Sequence, residues 1–178
     1  MKKLLVVLAL VSAWVGVQAQ VYLGGTIGFD VVNVHGYEDD FGEGSSSTQT
    51  SFGFAPEIGY NFNDSWAIGA QIGFGISSTD GISLNTYKIM PYVRNTFARA
   101  GIVDFFGELG LGYAHQTSTG IGVSGFVSAV RPGMAINFSK KFAVIARTDL
   151  LRYEHWDGVG AFEFALNKSF DLGVQFTF

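Results

Sequence analysis

Trp66-Ala67-Ile68-Gly69-Ala70-Gln71-Ile72-Gly73-Phe74-Gly75-Ile76 alternates apolar residues with small or polar ones at a period of two. Successive side chains of a strand point to opposite faces. The spacing therefore predicts a strand with Trp66, Ile68, Ala70, Ile72, Phe74 and Ile76 on one face. The other face holds Ala67, Gly69, Gln71, Gly73 and Gly75. A soluble up-and-down barrel turns its apolar face inward, and a membrane barrel turns it outward. The small, polar set cannot fill a dry core on its own, but it suits a narrow polar lumen. The apolar set then faces lipid.

The same pattern repeats on both sides of this segment. It predicts eight strands, at about 21–34, 50–62, 66–77, 85–97, 105–116, 124–138, 142–153 and 161–178. Asn63-Asp64-Ser65, the stretch Arg99–Asp104 and Ser139-Lys140-Lys141 read as turns. The connections after strands one, three, five and seven read as longer and richer in Ser, Thr, Gly and acid. His35–Gln49 is the longest and contains Glu38-Asp39-Asp40. The expected architecture is an all-β, eight-stranded antiparallel up-and-down transmembrane barrel. Short periplasmic turns would alternate with longer extracellular loops, with both termini periplasmic.

Parity also places the charges. Glu57, Arg94, Glu108, Arg131, Arg147, Asp149 and Asp171 all fall on the polar face. Four acids and three bases in a confined lumen should pair, because an unpaired buried charge costs several kcal/mol. A lipid-facing Arg or Lys near the midplane would cost roughly 2–4 kcal/mol, which favours the same assignment. Aromatic residues concentrate near strand ends, from Tyr22, Tyr60, Phe62 and Trp66 to Phe176 and Phe178, and read as an interfacial girdle.

Composition agrees. Charged residues are 15% of the 178, against roughly 25% in soluble domains, and there are 24 Gly and 17 Phe. The absence of Cys excludes disulfides, Cys-based metal sites and a Cys-borne lipid anchor. Met1-Lys2-Lys3, an apolar run from Leu4 to Val17, and Val17-Gln18-Ala19 form the three-part pattern of a signal peptide. The run is shorter than the ~20 residues a spanning helix needs. Residues 1–19 are the expected signal peptide and 20–178 the barrel domain. The net charge of −4 becomes −6 without Lys2 and Lys3, which argues against nucleic acid as a partner.

Several segments carry a family resemblance. They are Ile89-Met90-Pro91-Tyr92-Val93-Arg94, the stretch Phe106–Tyr113, Val130-Arg131-Pro132-Gly133 and the terminal Leu172-Gly173-Val174-Gln175-Phe176-Thr177-Phe178. With them the chain resembles the small outer-membrane β-barrel superfamily, often labelled the porin family, over residues 20–178. The resemblance implies a bacterial outer-membrane location, with membrane lipid as surroundings. It also implies that Leu172, Val174, Phe176 and Phe178 form the signal read by the barrel-assembly machinery. It does not imply a pore, since eight strands enclose a space that side chains can fill.

Signs of catalysis are weak. His35, His115 and His155 lie at strand ends or loops, where solvated histidines are expected, and no metal or cofactor is expected. Lipid A-modifying barrels need a His with a nearby Ser and an acid. His115 with Ser118, and His155 with Glu154, are the loose candidates, but the His-x-Ser spacing of the deacylases is absent because Gln116 and Thr117 follow His115. No stretch has the Gly-Lys-Ser/Thr ending of a phosphate loop. The expectation is a monomeric, non-enzymatic barrel with a structural or surface-interaction role, whose loop ligand is unknown. A narrow or gated channel is the alternative.

Overall fold

A computed structural model describes residues 20–35, 46–79, 82–118, 120–156, 159–164 and 170–178. The expected signal peptide and the Glu38-Asp39-Asp40 run lie outside them. Among the described residues there are ten strand segments: β1 (Gln20–His35), β2 (Ser46–Asn61), β3 (Trp66–Thr79), β4 (Ile82–Ala100), β5 (Val103–Ser118), β6 (Ile121–Ser139), β7 (Phe142–Arg147), β8 (Leu151–Trp156), β9 (Val159–Phe164) and β10 (Phe170–Thr177). Every pairing is antiparallel. β1 to β7 pair in chain order, and β10 pairs with both β7 and β1, which closes the ring. β7 and β8 share β6 as a partner, β7 over Gly133–Ser139 and β8 over Gly125–Val130, so together they form the seventh wall strand. β9 and β10 supply the eighth. The molecule is a closed eight-stranded antiparallel barrel. Both ends of the barrel chain meet at one rim, where the Phe178 amide donates to the Val21 carbonyl.

The faces divide as alternation requires. Phe29, Phe52, Ile72, Phe74, Ile89, Leu111 and Tyr113 are all exposed on the outside. Arg94, Glu108, Arg131 and Arg147 are buried inside. This inverts a soluble protein, where large apolar side chains fill the core. Lipid is the environment that stabilises it.

Glycine on the inner face makes room for the few large side chains there. A Cβ on Gly59 would collide with the Tyr22 ring, and one on Gly69 would lie 2.6 Å from the Tyr92 ring. These two positions let both tyrosines lie flat across a narrow lumen.

Several expectations change. Most strands run longer than expected and exceed the ~9–11 residues that span a bilayer. Pairing extends into segments that read as loops. Thr79 pairs with Ile82, Ser118 with Ile121 and Trp156 with Val159, so the connections after β3, β5 and β8 shrink to two residues each. Ser and Thr on these extensions satisfy their backbones through the ladder rather than through loop turns. The turn expected over Arg99–Asp104 narrows to Gly101-Ile102, with Gly101 at φ 62°. Tyr22, expected in the girdle, is 0% exposed inside the lumen. Its even position beside outward Val21 and Leu23 put it there.

The seventh wall strand breaks at Thr148-Asp149-Leu150. Between the pairs Val130–Leu151 and Gly133–Arg147, two residues of β6 (131 and 132) face three of the seventh wall strand (148 to 150), which is a one-residue bulge. The amides of Thr148 and Leu150 still donate to Pro132 and Val130. The bulge reverses the alternation, so β7 points Arg147 inward while β8 points Arg152, Glu154 and Trp156 inward.

Candidate functional site: the charged lumen

Five strands send a charge to one level of the lumen: Glu57 from β2, Arg94 from β4, Glu108 from β5, Arg131 from β6 and Arg147 from β7. Glu108 is the hub. Its Oε1 accepts from Arg94 Nε at 2.8 Å, with Arg94 Nη2 at 2.7 Å. Its Oε2 lies 2.9 Å from Arg131 Nη2, and Arg147 Nη1 reaches both oxygens at 3.3 Å. Arg147 Nη1 also donates to Glu57 Oε2 at 2.9 Å, and Arg94 Nη2 lies 3.6 Å from Glu57 Oε1.

Neutral groups complete the cluster. Arg131 donates to Gln71 at 2.9 Å, and the Gln71 amide donates to Thr26 Oγ1 at 3.3 Å. Arg94 donates to Gln175 at 2.7 Å and Arg147 to Thr26 at 3.2 Å. The Tyr22 and Tyr92 hydroxyls are 2.8 Å apart, and both rings lie against the Arg94 guanidinium, with Phe106 at 4.5 Å. The satisfaction is incomplete. Arg131 Nε makes no hydrogen bond, and Arg131 Nη2 faces Glu108 at ion-pair distance without hydrogen-bond alignment.

Two acids from the sequence-derived set sit apart from this centre. Asp171 reaches Arg147 Nε at 3.5 Å from a partly exposed position. Asp149, displaced by the bulge, lies 3.9 Å from Arg152. Three arginines against Glu57 and Glu108 leave one positive charge, which Asp171 offsets.

Sequence reasoning missed Tyr22, Lys88, Tyr92, Gln175, Arg152 and Glu154 as lumen groups. Parity alone finds the first four. Arg152 and Glu154 require the bulge. Arg152 pairs with Glu154 at 2.5 Å, and Trp156 Nε1 donates to Glu154 at 3.1 Å.

The charged level separates two cavities. One of about 390 Å³ lies toward the termini, bordered by Arg94, Arg99, Asp104 and Lys140. The other, about 150 Å³, lies on the far side, bordered by Thr26, Gln71, Lys88, Arg152 and Asp171.

The histidine candidates resolve differently from expectation. His115 pairs through Nδ1 with Ser124 at 2.8 Å, while Ser118 donates to the Ser83 carbonyl. Glu154 turns into the lumen and is held by Arg152 and Trp156, whereas His155 lies on the opposite face of β8. The side chain of His35 lies outside the described residues. Among the described residues no group of three His, Cys, Asp or Glu side chains could hold a metal.

Residues 4–178 match the family model of the outer membrane protein beta-barrel domain. The chain belongs to this family. Members of the outer membrane protein beta-barrel family are outer-membrane barrels, in keeping with the lipid-facing surface described above. Among solved structures, Neisserial surface protein A is similar at 12% identity and a TM-score of 0.59, over 90% of this chain and 99% of that one. Ail, the attachment invasion locus protein of Yersinia pestis, is similar at 18% identity and a TM-score of 0.49, over 90% and 97%. The Vibrio cholerae outer membrane protein OmpT aligns at 13% identity and a TM-score of 0.40, over 89% of this chain and 55% of its own. At these identities the likeness concerns fold. No curated protein matches the chain.

Proposed function

We propose that this barrel is a non-enzymatic outer-membrane protein that does not conduct and acts through envelope structure or surface interaction at its loop end. The supporting observation is the Glu57–Arg94–Glu108–Arg131–Arg147 cluster, which crosses the lumen between the two cavities. Eight strands leave little more than side-chain width, and here that width is occupied by paired charges. Purified protein in a planar bilayer should show no stable single-channel steps. Regular steps from the wild type would replace this reading with the gated channel, which the cavities on both sides of the cluster favour.

An enzymatic reading would rest on His115 and Ser124. The imidazole uses Nδ1 on the serine, and among the described residues Nε2 has no carboxylate partner. A triad needs the other nitrogen held by an acid. Lipid A from cells with and without the gene should give the same mass spectrum. A gene-dependent loss or gain of an acyl chain would overturn the assignment.

The remaining features follow the same reading. Residues 1–19 are removed as a signal peptide, the rim carrying Gln20 and Phe178 faces the periplasm, and the barrel is monomeric in outer-membrane lipid. Leu172, Val174 and Phe176 share the outer face of β10, which pairs with β1, and Phe178 follows directly after it, also exposed. That placement supports their role as the signal read by the assembly machinery, since they stand on the closing strand. Protease shaving of whole cells should cut near the 36–45 segment and spare a C-terminal tag.

A further inference from the structure

We propose that the outer wall carries a seat for one phosphorylated membrane lipid, with an acyl chain in a groove across β3, β4 and β5 and its phosphate on His115. The seat rests on the outer wall facing lipid, and it stands whether or not the barrel conducts.

The groove holds about 280 Å³ and is bordered by Ile72, Phe74, Tyr87, Ile89, Tyr113 and His115. Register sets these side chains in two rows. Ile72, Ile89 and Tyr113 are partners across the ladder, and Phe74, Tyr87 and His115 form the next row toward the loop end. Gly73 and Lys88 lie between the rows, and neither stands outward, because glycine has no side chain and Lys88 turns into the lumen. A trough therefore remains in a wall that meets hydrocarbon. An acyl chain of the surrounding lipid fills it without desolvating a charge.

One end of the trough is polar. His115 is exposed, and its Nδ1 is held by Ser124 at 2.8 Å. The ring lies over Gly122, where a Cβ would meet Cε1 at 2.9 Å and Nε2 at 3.1 Å. Gly122 stands loopward of Ser124 on β6, so Nε2 is directed to the loop end, and it makes no hydrogen bond among the described residues. Beyond this row the outer face turns to the exposed Ser78, Ser83 and Asn85. The imidazole thus stands where hydrocarbon gives way to headgroups.

Charge selects the headgroup. An imidazole donates to a phosphate oxygen and, when protonated, carries the opposite charge. Among the described residues no acid shares the outer wall at this end, since Glu154 and Glu163 lie on the inner face with Arg152. No Lys or Arg among them stands there either, so His115 is the group bordering the groove that can meet an anion. His155 is exposed on the same wall, on β8, but does not border the groove.

The test is native mass spectrometry of the folded full chain released from detergent micelles that contain dioleoyl phosphatidic acid. The wild type should hold one such lipid with saturable occupancy. Dioleoylglycerol, with the same chains and no phosphate, should bind about tenfold more weakly, and His115→Phe should lower phosphatidic acid binding about tenfold, as expected for loss of one charge-assisted contact. His155→Phe, away from the groove, and Lys140→Met, at the opposite rim, should leave it unchanged. Equal binding by wild type and His115→Phe overturns the proposal, and so does an equal loss in either control variant. Displacement of the lipid by inorganic phosphate would assign the site to the free anion and overturn the lipid seat. If His115→Phe lacks the gel shift of a folded barrel, the imidazole nitrogen-15 resonances of the wild type decide. A saturable shift at His115 with phosphatidic acid but not with dioleoylglycerol supports the seat, and an unmoved resonance overturns it.

Discussion

Around Glu108 the lumen is filled to contact, with three guanidinium groups converging on one carboxylate and two tyrosine rings closing over Arg94. Nearer the loop end, around Lys88, glycine and alanine form the wall and a cavity remains. The strands, the alternation and the diameter are the same in both regions. What differs is where each charge finds its partner. In the centre the partners are built in, so removing any one strands the others in a low-dielectric space. At Lys88 no carboxylate of the described residues lies within 4 Å, so its removal breaks no short ion pair. The first arrangement suits a permanent plug, and the second leaves open space in the lumen.

Glu108→Gln should separate the two regions most sharply. It should destabilise the folded barrel by roughly 3–5 kcal/mol, because three buried arginines lose their shared partner. Urea unfolding from lipid vesicles measures this, and a change under about 1 kcal/mol would mean that the cluster is not a stabilising plug. Leu111→Arg, on the outer face of the same strand, should cost roughly 2–4 kcal/mol if that face meets hydrocarbon. A neutral result would place Leu111 outside the membrane core. Tyr92→Phe removes the hydroxyl pair with Tyr22 and should cost roughly 0.5–1.5 kcal/mol, with the ring and its contact to Arg94 retained. Asp104→Asn, at the Arg99–Asp104 pair of 3.4 Å near the terminal rim, should cost no more than about 1 kcal/mol and less in high salt. Lys88→Met should fall within about 0.5 kcal/mol of wild type. A large loss there would show that Lys88 has a structural partner after all and would erase the contrast with Glu108.

Period-two alternation gave the eight wall strands, and the small residues opposite Ile72 and Phe74 gave the direction of the apolar face. The same parity put Glu57, Arg94, Glu108, Arg131 and Arg147 inside. It would also have put Tyr22 there, had the tyrosine been weighed by its position rather than by its type. The loops were less legible. Ser, Thr and Gly fit both a turn and a solvated strand end, and the ladder chose the latter at Thr79 and Ser118.

The sequence by itself determined the solvent, the strand count and the five charges of the central cluster, because each depends on alternation within the separate strands. Tertiary structure decided which charges meet. Glu108 gathers three arginines because β4, β6 and β7 bring them to its level, a matter of register between strands that no single strand encodes. It also decided the two sides of the seventh wall strand. The extra residue at Thr148–Leu150 reverses the alternation, so Arg152 and Glu154 enter the lumen while Asp149 is drawn toward Arg152. A bulge is a mismatch between two strands, and only the folded pair reveals it.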